Sequence, residues 1–401
     1  MPQNLKGFRD FLPEKAIARN FLIEKLKAYF ERFGFDPLET PALEYAQILL
    51  GKYGDEADKL IYLFEDKGKR KVGLRYDQTV PLARVIAQYP QLVKPFKRYQ
   101  IQPVWRAENP QSGRFREFIQ ADIDIVGSNN LLVEAEIIAC ALGVFKKLGF
   151  KKIKMLINDR QNFVNLDKKV IIAVDKLEKI GEEKVIAEIE KIGYEKKQAY
   201  KILDQIKNKK PTANLNQLFT LLRKYGLKDK VDFVYQPTLA RGLDYYTGII
   251  FEAVDPNYPA QSLGGGGRYD NLIGVFSGQK VPACGFAFGF DRILAAMESL
   301  SLLPKTLTKT QVLVTVFSDE FLSQSIQTAN LLRQNDINAE IYVDLPKKLD
   351  KQLKYADKKG LTYAIIIGPY EIKNNVITLK ELKTGKQETM ATKNLIEKLK
   401  Q

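Results

Sequence analysis

The chain has 401 residues, no histidine and two cysteines, with 63 basic side chains against 48 acidic ones and a formal net charge of +15. Without an imidazole there is no Ser-His-Asp or Cys-His nucleophile system and no histidine-containing zinc site, and two thiols cannot make a four-thiolate site. Any chemistry must run on carboxylates, Arg, Lys, Tyr or a metal that the substrate brings.

Residues 13–33 read as an amphipathic helix, with Pro13 near its start, Ile17, Phe21, Leu22, Leu26 and Phe30 on one face, and Gly34 as the stop. Pro37 and Pro41 make 34–44 extended. Short strands are expected over 60–65 and 71–75 and a helix over 78–88. The segments 96–108 and 114–127 alternate apolar and polar residues around the polar loop 109–113, which predicts a long antiparallel hairpin. A helix follows over 131–148, closed by Gly149. From 160 to 232 the chain is rich in Lys and Glu with helical apolar spacing (Ile171, Val174, Leu177, Ile180), so this stretch reads as a helical insertion. Strand and glycine signals return over 239–252 and 263–294. After the linker 300–310, strands at 311–317, 339–343 and 363–368 alternate with helices near 320–334 and 348–359. The strand-like NVITLKEL and a last helix near 392–400 complete an independent α/β domain.

The N-terminus lacks the apolar core of a signal peptide and no stretch is long enough to span a membrane. Cys140 and Cys284 lie in apolar surroundings and read as buried small hydrophobes in a reducing compartment, so a cytoplasmic location is expected. Arginine supplies only 16 of the basic residues, and Arg75, Arg106, Arg114, Arg116, Arg241, Arg268 and Arg292 fall in unusual strings. Arginine suits planar recognition of phosphate and carboxylate. On spacing alone, the hairpin arginines read equally well as a phosphate grip or as a solvated edge paired with Glu108, Glu117 and Asp122. GGGGRYD at 264–270 permits close backbone approach, though a flexible turn is the commoner explanation. RGLDYYTG at 241–248 holds one cation, one carboxylate and two phenols. It reads as a polar substrate site or as a strand edge with core tyrosines. PACGFAFGFDRI at 282–293 runs a glycine-laced strand into a helix, with Arg292 in a first turn that disfavours cations.

Together these strings resemble the motifs of class II aminoacyl-tRNA synthetases, and among them the histidyl-tRNA synthetase family. GFDPLETPALE is similar to motif 1, residues 96–127 to motif 2 and PACGFAFGFDRI to motif 3. LARGLDYYTG and GGGGRYD resemble the two histidine-specific strings. The resemblance covers nearly the whole chain. It implies an α+β fold: an antiparallel six-stranded catalytic core (1–157 and 236–305), a helical insertion (158–235) and a C-terminal α/β anticodon-binding domain (310–401). It implies activation of L-histidine by ATP with substrate-bound Mg2+, transfer to a cognate tRNA, and a homodimer built on motif 1.

By the same resemblance Arg106 and Arg292 grip ATP, Glu108 and Phe118 hold the adenine, and Arg114 and Arg116 lie near the phosphates. Arg241 sits beside the α-phosphate and the substrate carboxylate. Asp77, Thr79 and Gln120 bind the α-amino and carboxylate groups, while Asp124, Tyr246 and Tyr269 read the imidazole. Asp291 stands where the family usually has Glu. A catalytically silent paralogue, such as a regulatory subunit of ATP phosphoribosyltransferase, is the alternative; Arg106, Arg241, Arg292 and the C-terminal domain weigh against it. A synthetase for another amino acid conflicts with the two histidine-specific strings.

Overall fold

The computed structural model describes residues 2–50, 60–109, 115–241, 245–259, 262–304, 308–345 and 347–400. Two compact units emerge. One comprises Met1–Asp10 and Leu22–Leu302, the other Phe11–Phe21 and Leu303–Gln401.

The first unit contains β1 (Asp36–Pro37), β2 (Leu43–Tyr45), β3 (Leu63–Glu65), β4 (Lys71–Leu74), β5 (Phe96–Trp105), β6 (Glu117–Val126), β7 (Lys154–Asp159), β8 (Phe233–Tyr235), β9 (Ile249–Val254), β10 (Gly264–Arg268) and β11 (Ala283–Phe288). Eight of them form one sheet in the order β1-β5-β6-β11-β10-β9-β7-β8, and β2-β4-β3 form a small second sheet. The six strands from β5 to β7 are antiparallel to their neighbours. The expected six-stranded antiparallel core is therefore present, widened by β1 and β8, which pair parallel at its two edges.

The hairpin β5–β6 forms where alternation predicts it, with Arg98 opposite Asp124, Gln100 opposite Asp122 and Gln102 opposite Gln120. Because side chains alternate across a sheet, one face collects these polar residues and the other collects Tyr99, Ile123, Phe251, Phe286 and Phe288. The apolar face is buried under two helices. Phe30, in the helix Pro13–Arg32, and Phe145, in Leu132–Lys147, lie with ring centroids 5.3 Å and 5.6 Å from that of Phe288. Pro13 opens the first helix, where its missing N–H costs nothing. Gly149, at φ +99°, follows the second, in a conformation that side chains resist.

The stretch 160–232 is helical as predicted, apart from a short 3-10 turn at its start. Its helices include Lys168–Val174, Glu182–Lys191, Lys196–Lys207 and Ala213–Lys224. Asp167 and Thr212 cap two of them by accepting the N–H groups of Lys169 and Leu215. Val170, Val174, Val185, Ile189 and Leu203 form a separate core there. The strands β7 and β8 at either end of this stretch return it to the main sheet.

The second unit carries β12 (Val312–Val314), β13 (Ala339–Ile341), β14 (Tyr363–Ile366), β15 (Ile377–Glu381) and β16 (Gln387–Met390) in the order β13-β12-β14-β15-β16. The first three are parallel, as strand–helix alternation predicts. The last two add antiparallel pairs, joined by a turn in which Gly385 takes φ +75°. Strand β16 and the helix Pro369–Asn374 go beyond the sequence reading. Both are short, and their polar sequences carry little apolar periodicity. Among the described residues no helix is long and apolar enough to cross a membrane.

Candidate active site

The polar face of the main sheet supplies the site. Paired rows run across it. One row aligns Arg98, Asp124, Gly285, Gly267 and Ile250; the next aligns Gln100, Asp122, Ala287, Gly265 and Glu252. Arg98 is wholly buried and pairs with Asp124 at 2.7 Å. The Tyr269 hydroxyl donates to the other oxygen of Asp124. Burial pushes the Asp124 carboxyl up, while Arg98 and the Tyr269 hydroxyl oppose the rise. Burial raises the Tyr269 phenol well above its ordinary value, and the Asp124 charge adds to the rise. Tyr245 stacks obliquely on Tyr246 with centroids 4.4 Å apart and meets Tyr269 edge-on at 5.8 Å. Asp124, Tyr246 and Tyr269 thus form one polar-aromatic wall.

The glycine run explains the room above that wall. It is a strand rather than a flexible turn, buried along its length. Glycine has no intrinsic taste for strands, so its neighbours impose the conformation. A Cβ on Gly265 would lie 1.4 Å from Nη1 of Arg241, and one on Gly285 would lie 1.9 Å from Oδ1 of Asp124. On the opposite face, a Cβ on Gly264 would lie 2.7 Å from the ring of Phe286. Bare backbone therefore admits a guanidinium on one side and a phenyl ring on the other.

Arg241 precedes residues outside the described set and has φ +50°, a left-handed conformation uncommon for a side-chain-bearing residue. Burial pushes the Asp175 carboxyl up, and the backbone N–H and charge of Arg241 oppose the rise. The Arg241 guanidinium lies 5.7 Å from the Tyr246 ring centroid and bonds weakly to the Phe251 carbonyl at 3.4 Å. The buried Nε has no hydrogen-bond partner. In RGLDYYTG the predicted strand begins only at Ile249; Tyr245 to Gly248 precede it as irregular backbone.

Around the hairpin, Arg106 donates to the Tyr76 carbonyl at 3.0 Å and lies 5.0 Å from the Phe118 ring centroid. Arg116 donates to the Glu108 carbonyl at 3.0 Å and packs across Gly7. Neither arginine is spent on Glu117, whose carboxylate accepts instead from Trp105 at 2.7 Å. Arg114 lies outside the described residues. Thr79 begins the helix Thr79–Gln88, and Asp77 accepts the Val80 N–H at 3.1 Å. The helix Phe290–Ser299 places Arg292 in its first turn, donating to the Ser262 carbonyl at 3.3 Å. Asp291 beside it pairs with Arg9 at 2.8 Å, and the Arg9 guanidinium lies 3.2 Å from the Phe115 ring centroid. Arg9 was not among the expected site residues; nothing in its local spacing marks it.

Two arginines from the unusual strings are structural. Arg75 is 2% exposed and donates to the Thr40, Pro41 and Pro103 carbonyls and to Gln102. Arg268 forms a two-point bridge to Glu134 at 2.6 and 2.7 Å. Arg98, on β5 beside Gln100 and Gln102, carries the buried pair instead. Cys140 and Cys284 are free and buried, and burial pushes both thiols up.

The histidyl-tRNA synthetase family profile matches residues 7–293, and the anticodon binding domain profile matches residues 311–401. The chain is 38% identical to a histidine–tRNA ligase of Christiangramia forsetii, covering 97% of each chain. It is 37% identical to one of Cytophaga hutchinsonii over 99% of each. A crystal structure of histidyl-tRNA synthetase from a Nostoc species superposes with a TM-score of 0.86 at 31% identity, covering 99% of this chain and 98% of that one.

Proposed function

The chain belongs to the histidyl-tRNA synthetase family, and we propose how its residues divide the family's reaction among them. The protein is a histidine–tRNA ligase: with ATP it activates L-histidine to histidyl-adenylate, then transfers histidine to tRNA. The observation that carries the residue assignment is the position of Arg241. Its guanidinium lies over Gly265, beside Tyr246, on the same sheet face as the Asp124–Tyr269 pair.

In this reading Asp124, Tyr246 and Tyr269 hold the imidazole. Asp77, Thr79 and Gln120 hold the α-amino and carboxylate groups. Arg106 and Arg292 grip the ATP phosphates with Arg114 and Arg116 nearby, and Glu108 and Phe118 hold the adenine. The substrate carboxylate is already a nucleophile. It attacks the α-phosphorus, and pyrophosphate leaves with the magnesium that ATP carried in. Arg241 and Arg106 stabilise charge as it develops on the α-phosphoryl oxygens. The terminal ribose hydroxyl of the tRNA then attacks the adenylate carbonyl and AMP departs. No step needs a protein imidazole, so a histidine-free chain suffices. Buried polar groups reject side chains that leave them unpaired.

The same reading takes 1–157 and 236–305 as catalytic core, 158–235 as insertion and 310–401 as the anticodon-binding domain. It makes motif 1 the homodimer contact and the cytoplasm the site of action. Amino-acid-dependent ATP–pyrophosphate exchange tests the assignment. Exchange with histidine that is lost in Arg241→Ala supports it; full activity in that variant would remove Arg241 from the mechanism. Exchange with threonine, proline or glycine in place of histidine would overturn the reading of the pocket.

A further inference from the structure

Arg241 has φ +50°, a left-handed backbone that persists only where its surroundings impose it. The run that leads into it is gripped at its carbonyls by side chains from the end of β7 and the short 3-10 turn that follows. Asn158 is wholly buried, and its Nδ2 donates to the Pro237 and Leu239 carbonyls, each at 2.9 Å. Its Oδ1 accepts from Nδ2 of Asn162 at 2.8 Å, so both ends of the amide are engaged and its orientation is fixed. Arg160 donates from Nη1 to the Ala240 carbonyl at 3.2 Å, and its backbone N–H donates to the Gly248 carbonyl at 3.0 Å. Arg160 therefore touches the chain just before Arg241 and again beyond Tyr246.

Strand register puts Asn158 opposite Ile250, in the row that runs through Gly267 and Gly285 to Asp124, so its side chain lies on the polar face. Ala240 is itself fully buried, in the core of the helical insertion with Val170 and Val174. The insertion thus meets the sheet at the run that carries Arg241. Resting on the synthetase reading, we propose that Asn158 and Arg160 are positioning residues for Arg241. By fixing the Pro237, Leu239 and Ala240 carbonyls they hold the left-handed backbone at Arg241, and with it the guanidinium over Gly265 and beside Tyr246. They act through Arg241 and not on the substrate. A displacement of about 1 Å in such a donor can cost about a hundredfold in rate, far more than one hydrogen bond to a carbonyl contributes. A grip that only satisfied carbonyls would matter equally with or without Arg241; a positioning grip matters to catalysis only while Arg241 is present.

The test is a double-mutant cycle on the full-length protein, read by histidine-dependent ATP–pyrophosphate exchange. Arg160 is only partly buried, so Arg160→Met should stay folded, which its melting temperature checks. Its kcat should fall about tenfold, with KM for histidine and for ATP within about twofold. Arg160→Lys, which keeps one donor, should recover part of the loss. In an Arg241→Ala background, Arg160→Met should cost less than about twofold more. Asn158→Ala is the second variant and should show the same dependence on Arg241, with a lower melting temperature because buried carbonyls lose their donors. An equal loss with and without Arg241, a rise in KM at unchanged kcat, or no loss at all would overturn the positioning role. Absence of exchange with histidine in the unsubstituted protein would instead overturn the synthetase reading on which it rests.

Discussion

On one face of the eight-stranded sheet, Phe251, Phe286 and Phe288 pack ring against ring beneath Phe30 and Phe145. On the other face, the same strands hold Arg98, Gln120, Asp122 and Asp124, several with buried atoms that lack a hydrogen-bond partner. The apolar face gains from burial and dispersion at every contact. The polar face retains desolvated groups that only a ligand would match. One set of strands therefore carries stability and function on opposite sides, separated by the two-residue period. Changes on the two faces should accordingly fail in different assays.

The largest effect belongs to the apolar face. Phe288→Ala should cost about 3–5 kcal/mol in denaturant unfolding, because it removes a ring packed against three others. Where the variant is still folded, its KM for histidine should stay within about twofold; a large rise would mean that the faces are coupled. Next comes Arg241→Ala. Losing one transition-state donor should slow exchange by about 10²–10³, or about 2.7–4 kcal/mol, with tRNA binding largely intact. Gly285→Ala sets the two faces in conflict within a single strand. Its new methyl would displace the Asp124 carboxylate, raising KM for histidine on the order of 10–100-fold with KM for ATP little changed.

Glu388, on β16 of the second unit, should show the smallest effect. Lys386 and Lys398 hold its carboxyl down at about 2. A depressed carboxylate contributes stability above the unfolded value of about 4.5, and that contribution is lost as pH falls toward 2. The group is half-buried on the surface, so salt should weaken the effect and Glu388→Gln should leave the melting temperature at neutral pH nearly unmoved.

The two faces also differed in how well the sequence disclosed them. Alternation in 96–108 and 114–127 announced the hairpin and its apolar side, because packing and strand period report the same thing. The motif strings located Arg106, Arg241, Asp124 and Tyr269, and the structure brings Asp124, Tyr246, Tyr269 and Arg241 to one face. The glycine strand stayed hidden. Its conformation is set by Phe286 and Arg241, which are distant in sequence, and not by any preference of its own. Arg75 looked functional by type and proved structural, since only folding shows that backbone carbonyls consume its donors. Asn158 and Arg160 gave no local signal; a grip on distant carbonyls is visible only when every neighbour is known.

The measurement closest to the central claim uses the absence of histidine from the chain. Ring-¹⁵N-labelled L-histidine bound to the protein supplies the only imidazole signal in the sample. The account predicts a bound ring whose titration moves away from the free value of about 6.5 and returns toward it in Tyr269→Phe. A ring that titrates as free histidine at saturating protein, or one unaffected by loss of the Tyr269 hydroxyl, would contradict the assignment of the polar face as the histidine site.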